Sequence, residues 1–78
     1  MKELVQFLAE HLVNNPNAVD VKETQGETAS VLELRVAKED LGRIIGKQGR
    51  TAKSIRTILN AVASRTNRKV VLEIIEEK

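Results

Sequence analysis

The polar and apolar positions of residues 2–14 repeat with the period of an α-helix. This spacing predicts an amphipathic helix with one face against the core. The stripe on that face consists of Leu4, Phe7, Leu8, His11 and Leu12, with Val5 beside it. Pro16 disfavours helical geometry at the preceding asparagine, so we expect residues 14–17 to end the helix.

Two later segments alternate between apolar and polar residues, which is the pattern of strands with one buried face. In the first, Val19 and Val21 alternate with charged residues. In the second, the apolar positions are Leu32, Leu34 and Val36. The Gln-Gly-Glu sequence of residues 25–27 predicts a turn between them, and hence a hairpin.

Two helices are predicted after the hairpin. The first covers about residues 39–44, and its first turn carries Glu39 and Asp40, whose carboxylates favour the positive end of a helix dipole. The second covers about residues 50–65 and ends near Asn67, a residue type that tolerates the left-handed conformation. The apolar stripe of this longer helix consists of Ala52, Ile55, Ile58, Leu59 and Val62.

A last strand is predicted with Val70, Leu72 and Ile74 on its core face, before the charged residues 76–78. The expected element order is therefore α-β-β-α-α-β, which is an α+β fold. A chain of 78 residues has room for one hydrophobic core, so we expect a single domain over residues 1–78.

Positive charge is concentrated in one part of the chain. Residues 35–69 contain ten Lys and Arg against two acidic residues, a balance of +8, whereas the rest of the chain carries −6. Such a division favours a polyanionic partner, although two ordinary solvated surfaces would give the same counts. The chain has no cysteine, no apolar run of membrane-spanning length and no signal-peptide pattern, so we expect a cytoplasmic protein without a membrane contact.

The loop Gly46-Lys47-Gln48-Gly49 lies between the two predicted helices, at the start of the second. Its glycines allow a tight turn and a close approach to a ligand. Free N–H groups and the dipole at that helix start attract phosphate, and nearby cations reinforce the effect. The flanking isoleucines add apolar surface, as a nucleic-acid strand with phosphates on one side and bases on the other would need. The residues predicted to bind RNA are Gly46, Lys47, Gln48, Gly49, Arg50, Lys53, Arg43, Ile44, Ile45 and Ile55.

Each of these assignments has a plainer alternative. The two glycines could serve only a tight helix–helix turn, and the cations could be solvated charges. Ile44, Ile45 and Ile55 suit a core role at least as well as a groove role. Arg56, at the edge of the stripe, stays open, and the cluster Arg65, Arg68 and Lys69 is interpreted as solvated.

The segment from Ile44 to Thr57, IIGKQGRTAKSIRT, resembles the KH-domain signature I-I-G-x-x-G followed by a helix. The element order resembles the type II arrangement, with a three-stranded sheet packed against helices on one face. More narrowly, the whole chain is similar to the short KhpA/YlqC family of bacterial single-KH proteins. Ala52 stands where many KH domains carry a larger aliphatic residue, which implies a shallower groove.

The resemblance implies a cytoplasmic protein that binds single-stranded RNA and acts as an RNA chaperone or post-transcriptional regulator. It also implies a homodimer, or a heterodimer with a second KH-containing protein, and a link in some bacteria to cell shape and cell-wall biogenesis. A different class of function is a protein-interaction module in which RNA binding is secondary, with Val71 and Ile75 on the outer face of the last strand forming a dimer surface.

Enzyme functions fit the sequence poorly. A phosphate-binding P-loop needs four residues between its glycines and Ser or Thr after its lysine, whereas Gly42 and Gly46 enclose three residues and Gln48 follows Lys47. No nucleophile–base set and no metal-ligand spacing is visible, so no catalytic residue, metal or cofactor is expected. An aromatic content of 1%, with Phe7 alone, argues against the base-stacking platforms of RRM and OB domains.

Overall fold

The computed structural model describes residues 1–75, so the predicted charged end at residues 76–78 lies outside the described residues. The helices and strands are α1 (Lys2–Leu12), β1 (Asp20–Gln25), β2 (Ala29–Arg35), α2 (Leu41–Ile45), α3 (Arg50–Ala63) and β3 (Lys69–Ile74). Short 3-10 turns at Pro16–Ala18, Lys38–Asp40, Lys47–Gly49 and Ser64–Thr66 complete the connections. The predicted α-β-β-α-α-β order is confirmed.

The three strands form one mixed sheet in the order β1-β2-β3. β1 and β2 are the predicted antiparallel hairpin, in which Asp20 pairs with Arg35 and Gln25 with Ser30. β2 and β3 are parallel, with Ala29 opposite Lys69. Parallel neighbours require a crossover connection, and here that crossover is α2, the following loop and α3. The helices lie against one face of the sheet, where Val21, Leu32, Leu34, Val70 and Leu72 are buried.

The predicted core face of α1 is confirmed at Leu4, which packs against the core, and is wrong at Phe7, His11 and Leu12, which are exposed. The buried residues of α1 are Val5 and Ala9, one turn apart, while Phe7 is 58% exposed and stacks against the ring of His11 at a centroid distance of 4.3 Å. Leu12 is also exposed. The apolar stripe of α1 is wider than the face in contact with the sheet, and the small side chain of Ala9 allows the close approach.

The apolar stripe of α3 differs from the prediction in the same way. Ala52, Ile55, Leu59 and Ala63 are buried, whereas Ile58 and Val62 are each 43% exposed. The helix therefore presents two neighbouring aliphatic side chains to solvent. It ends as predicted, because Asn67 adopts the left-handed conformation with φ of 57°.

Asp40 ties the ends of two helices together. Its carboxylate is 2% exposed and accepts hydrogen bonds from the backbone N–H groups of Asn14 and Asn15, at 3.1 and 3.0 Å. It also lies 3.5 Å from Nε of Arg43. Asp40 lies in the first turn of the 3-10 helix that leads into α2, as the sequence predicts, and the structure adds this longer-range role. Asp40 thus holds the segment after α1 against the start of α2.

Candidate nucleic-acid interface

The loop Gly46–Gly49 turns the chain between α2 and α3 by means of positive backbone angles. Gly46, Gln48 and Gly49 have φ of 77°, 58° and 75°. Gly46 combines its φ with ψ of 173°, a conformation that is essentially restricted to glycine. Gln48 is one of two non-glycine residues with positive φ among those described. Such strain is tolerated where surrounding structure enforces it, and it concentrates at functional sites.

Gly46 is also required for steric reasons. A Cβ atom at this position would overlap the side chain of Thr51 and would lie 2.8 Å from the Thr51 backbone nitrogen. A Cβ atom on Gly49 would meet no atom within 4 Å. The two glycines therefore differ: Gly46 permits α2 and α3 to approach, and Gly49 supplies only the left-handed turn.

The backbone N–H groups at the start of α3 are bonded in part to the preceding loop. The Gly46 N–H is bonded to the Gly42 carbonyl at 2.8 Å and the Gly49 N–H to the Gly46 carbonyl at 3.1 Å. The Arg50 N–H is bonded to the Lys47 carbonyl, and no side chain caps the first turn of α3. First-turn amides of a helix generally lack an intrahelical partner, so the start of this 14-residue helix, at its positive end, suits water or an anion.

Three unpaired cations surround this helix start. Lys47, Arg50 and Lys53 are exposed, and within residues 1–75 no carboxylate lies within ion-pair distance of them. Arg43 differs from them, because its guanidinium is paired with Asp40. The loop and the first turn of α3 therefore form a positive surface with uncapped N–H groups at its centre.

An apolar groove of about 240 Å³ adjoins the loop. We call it the first groove; it is lined by Leu41, Ile45, Gly49, Ala52, Arg56 and Ile74. Ile45 is 39% exposed, so its side chain is accessible from the groove, while Ala52 is buried and forms part of the lining. The small side chain of Ala52 leaves space that a larger aliphatic residue would fill, which is the opposite of the shallower groove expected from the sequence.

The structure separates the three isoleucines of the motif. Ile44 is fully buried and Ile55 is 4% exposed, and both belong to the core cluster beneath the sheet. Their burial supports the core alternative for these two side chains. Ile45 alone faces the groove.

Sequence reasoning missed part of the groove. Leu41 and Ile74 lie about 30 residues apart in the chain, and the motif gave no reason to join them. Arg56, which the motif left open, lines the first groove and donates a hydrogen bond to the Leu72 carbonyl at 3.3 Å. The only sequence signal for this part of the groove was the alternation of apolar and polar residues in β3, which places Ile74 on the inner face.

Two helices joined by a G-x-x-G loop and packed on a mixed sheet, in this element order, define a KH domain. The family model of the KhpA/KhpB KH domain matches residues 2–74. The chain belongs to the KhpA/KhpB family. This membership confirms the expectation of a KH domain, and it agrees with the expectation that the chain is not an enzyme.

Curated relatives cover the chain almost completely. A protein named RNA-binding protein KhpA from Clostridium perfringens is 55% identical over 96% of this chain and all of its own length. A protein of the same name from Chlamydia trachomatis is 54% identical over the full length of both chains. The relative from Borreliella burgdorferi is 46% identical over 95% of this chain and 90% of its own. No solved structure matches the chain.

Two further observations limit the kinds of site present. Within residues 1–75 no group of three or more His, Asp or Glu side chains is placed to hold a metal ion. No helix in the same range is long and apolar enough to cross a bilayer.

Proposed function

We propose that this protein binds single-stranded RNA, with the Gly46–Gly49 loop and the start of α3 holding the sugar-phosphate backbone. The observation that carries the proposal is the uncapped helix start beside Lys47, Arg50 and Lys53, directly next to an apolar groove. The relatives named RNA-binding protein KhpA support it.

The phosphate contact follows from the loop geometry. The glycines place no side chain between the backbone and a ligand, so a phosphate reaches the free N–H groups of α3. Lys47 and Arg50 add full positive charges at the same point, and Lys53 extends the positive surface one turn further. Arg43 contributes less, because Asp40 already neutralises it.

The groove favours a single strand over a duplex. Bases enter an apolar groove only when they are unstacked and free of a complementary strand. A groove of about 240 Å³ beside one loop holds few nucleotides, so binding by one copy is weak and reversible. Weak, rapidly exchanging contact with unpaired RNA suits an RNA chaperone or post-transcriptional regulator in the cytoplasm, and we include that role in the proposal.

A second candidate function is association with another protein chain. Ile58 and Val62 lie one turn apart on α3 and are both 43% exposed, which makes an apolar patch on a small domain. We infer that this patch, rather than the outer face of β3, pairs with a second copy or another KH protein. Val71 on that outer face is less exposed, at 36%, and lies opposite Val31 of β2 with Glu73 and Ile75 following on the same face.

The test of RNA binding is a double variant, Lys47→Asp with Gln48→Asp. Both side chains are exposed, and Asp tolerates the left-handed backbone of position 48, so the fold should survive. Two carboxylates would face the phosphate, and affinity for a fluorescent oligouridine should fall by at least about tenfold.

The matched control is Lys2→Asp with Asn17→Asp, which makes the same charge change at exposed positions outside the loop and groove. Its RNA affinity should stay close to that of the wild type, and thermal melting should show that both variants fold. An equal loss of affinity in the two variants would contradict the loop assignment.

A further inference from the structure

Arg56 lies at the junction of two grooves. One is the first groove, beside the Gly46–Gly49 loop. The second, of about 200 Å³, continues between α3 and β3 and is lined by residues that include Asn60, Lys69 and Leu72. Arg56 lines both grooves. A strand that leaves the loop and follows α3 would therefore pass this guanidinium.

The backbone of β3 is open on the side that faces these grooves. The Lys69 N–H is bonded to the Thr28 carbonyl at 3.1 Å and the Ile75 N–H to the Leu34 carbonyl at 2.9 Å, so both residues face β2. In a parallel ladder, alternate residues direct their N–H and C=O groups to the same neighbour. Leu72 therefore directs its N–H and C=O to the opposite edge, where no described strand pairs with it.

Arg56 occupies the one carbonyl that Leu72 presents at this edge. The guanidinium Nη2 donates to the Leu72 oxygen at 3.3 Å. A guanidinium carries five N–H donors in a rigid plane, so four donors remain after this bond. The hydrogen bond restrains the side chain, and within residues 1–75 no carboxylate is within ion-pair distance of it. The junction thus offers several donors to a base, and one of the two lone pairs of its backbone acceptor is already used.

We propose that Arg56 is a specificity-determining residue that selects guanine over adenine at the nucleotide bound between the two grooves. Guanine presents two adjacent acceptors, O6 and N7, which match a planar pair of N–H donors. Adenine presents N7 beside the N6 amino group, a donor that would face the donors of Arg56, and one lone pair of the Leu72 carbonyl is already used by Arg56. This inference rests on the proposed RNA binding and adds a base preference to it.

The experiment compares fluorescein-labelled UUGUU, UUAUU and UUUUU by anisotropy with the wild-type protein and three variants. The wild type should bind UUGUU at least about fivefold more tightly than UUAUU. Arg56→Lys keeps the charge and loses the planar fork, so the ratio of the UUGUU affinity to the UUAUU affinity should fall to about one. Arg56→Ala leaves the Leu72 carbonyl free to accept a hydrogen bond from the adenine amino group, so UUAUU should bind more tightly than UUGUU. Arg65→Lys, at an exposed position outside both grooves, should leave the ratio unchanged.

The inference is overturned if the wild type binds UUGUU and UUAUU equally, or if Arg56→Lys retains the preference. If only the base preference is wrong, the wild type will bind all three oligonucleotides with equal affinity. The Lys47→Asp, Gln48→Asp variant will then still lose affinity for all three. If no oligonucleotide binds the wild type, both the RNA-binding proposal and the base preference are wrong.

Discussion

The backbone of Gly46 lies directly against Thr51, with no space for a side-chain atom between them. This contact brings the end of α2 onto the first turn of α3 and sets the position of the loop relative to the groove. The other loop glycine, Gly49, has the same sign of φ and nothing near its missing Cβ. Gly46 is therefore needed because there is no room for a side chain, and Gly49 is needed only for its left-handed backbone conformation.

We expect Gly46→Ala to destabilise the protein by about 3 kcal/mol, because the strained backbone and the overlap with Thr51 both add to the cost. Gly49→Ala meets only the left-handed penalty and should cost about 1 kcal/mol. Urea denaturation monitored by circular dichroism measures both values. Equal costs at the two positions would show that the overlap with Thr51 is relieved without penalty.

Removal of the Asp40 carboxylate should loosen the connection between α1 and α2. Asp40→Ala leaves the N–H groups of Asn14 and Asn15 without their acceptor, at an expected cost of about 2 kcal/mol. Asp20→Ala, at an exposed position, should change stability by less than about 0.5 kcal/mol. Hydrogen exchange should also show faster exchange at Asn14 and Asn15 in Asp40→Ala, and unchanged protection there would contradict this role.

Salt should weaken RNA binding by a predictable amount. If the loop and the start of α3 contact about three phosphates of a single strand, the logarithm of the binding constant should fall with the logarithm of the salt concentration with a slope of about −2. Titration of one oligonucleotide at several salt concentrations gives the slope. An affinity that does not change with salt would rule out a phosphate clamp at this loop.

Self-association should depend on the exposed aliphatic pair of α3. Ile58→Gln with Val62→Gln replaces both side chains by residues that suit an exposed helix surface, so the fold should be kept and association lost. Sedimentation velocity over a concentration series measures the effect. Val71→Gln tests the outer face of the sheet; dissociation by this variant and not by the helix variant would place the interface there.

The sequence predicted the order of elements because every strand and helix here carries its own periodic pattern. It predicted helix faces that are too wide, because the apolar stripe extends beyond the buried contact. Helical spacing assigns Phe7, Ile58 and Val62 to the core, where they are exposed, and it leaves out Ala9 and Ala63, which are buried. The hydrophobic pattern depends on how apolar each side chain is. Small residues contribute little to that pattern, even where they lie at a close contact.

The loop of the candidate site was visible in the sequence because its residues are contiguous. The groove was only partly visible, since Leu41, Arg56 and Ile74 come from three elements that the parallel pairing of β2 and β3 brings together. The role of Asp40 was hidden for the same reason, because its backbone partners lie about 25 residues away. A site made of residues that are neighbours in the sequence can be predicted from the sequence, whereas contacts between distant residues become visible only in the fold.

The crossover between β2 and β3 contains both helices of the site, and one groove wall, Ile74, belongs to β3. A synthetic peptide that contains α2, the loop and α3 would therefore lack that wall, and its Ile44 and Ile55 would have no sheet to cover them. RNA recognition of the kind proposed therefore requires the folded chain. A fragment with the complete G-x-x-G motif would retain the charges and lose the groove.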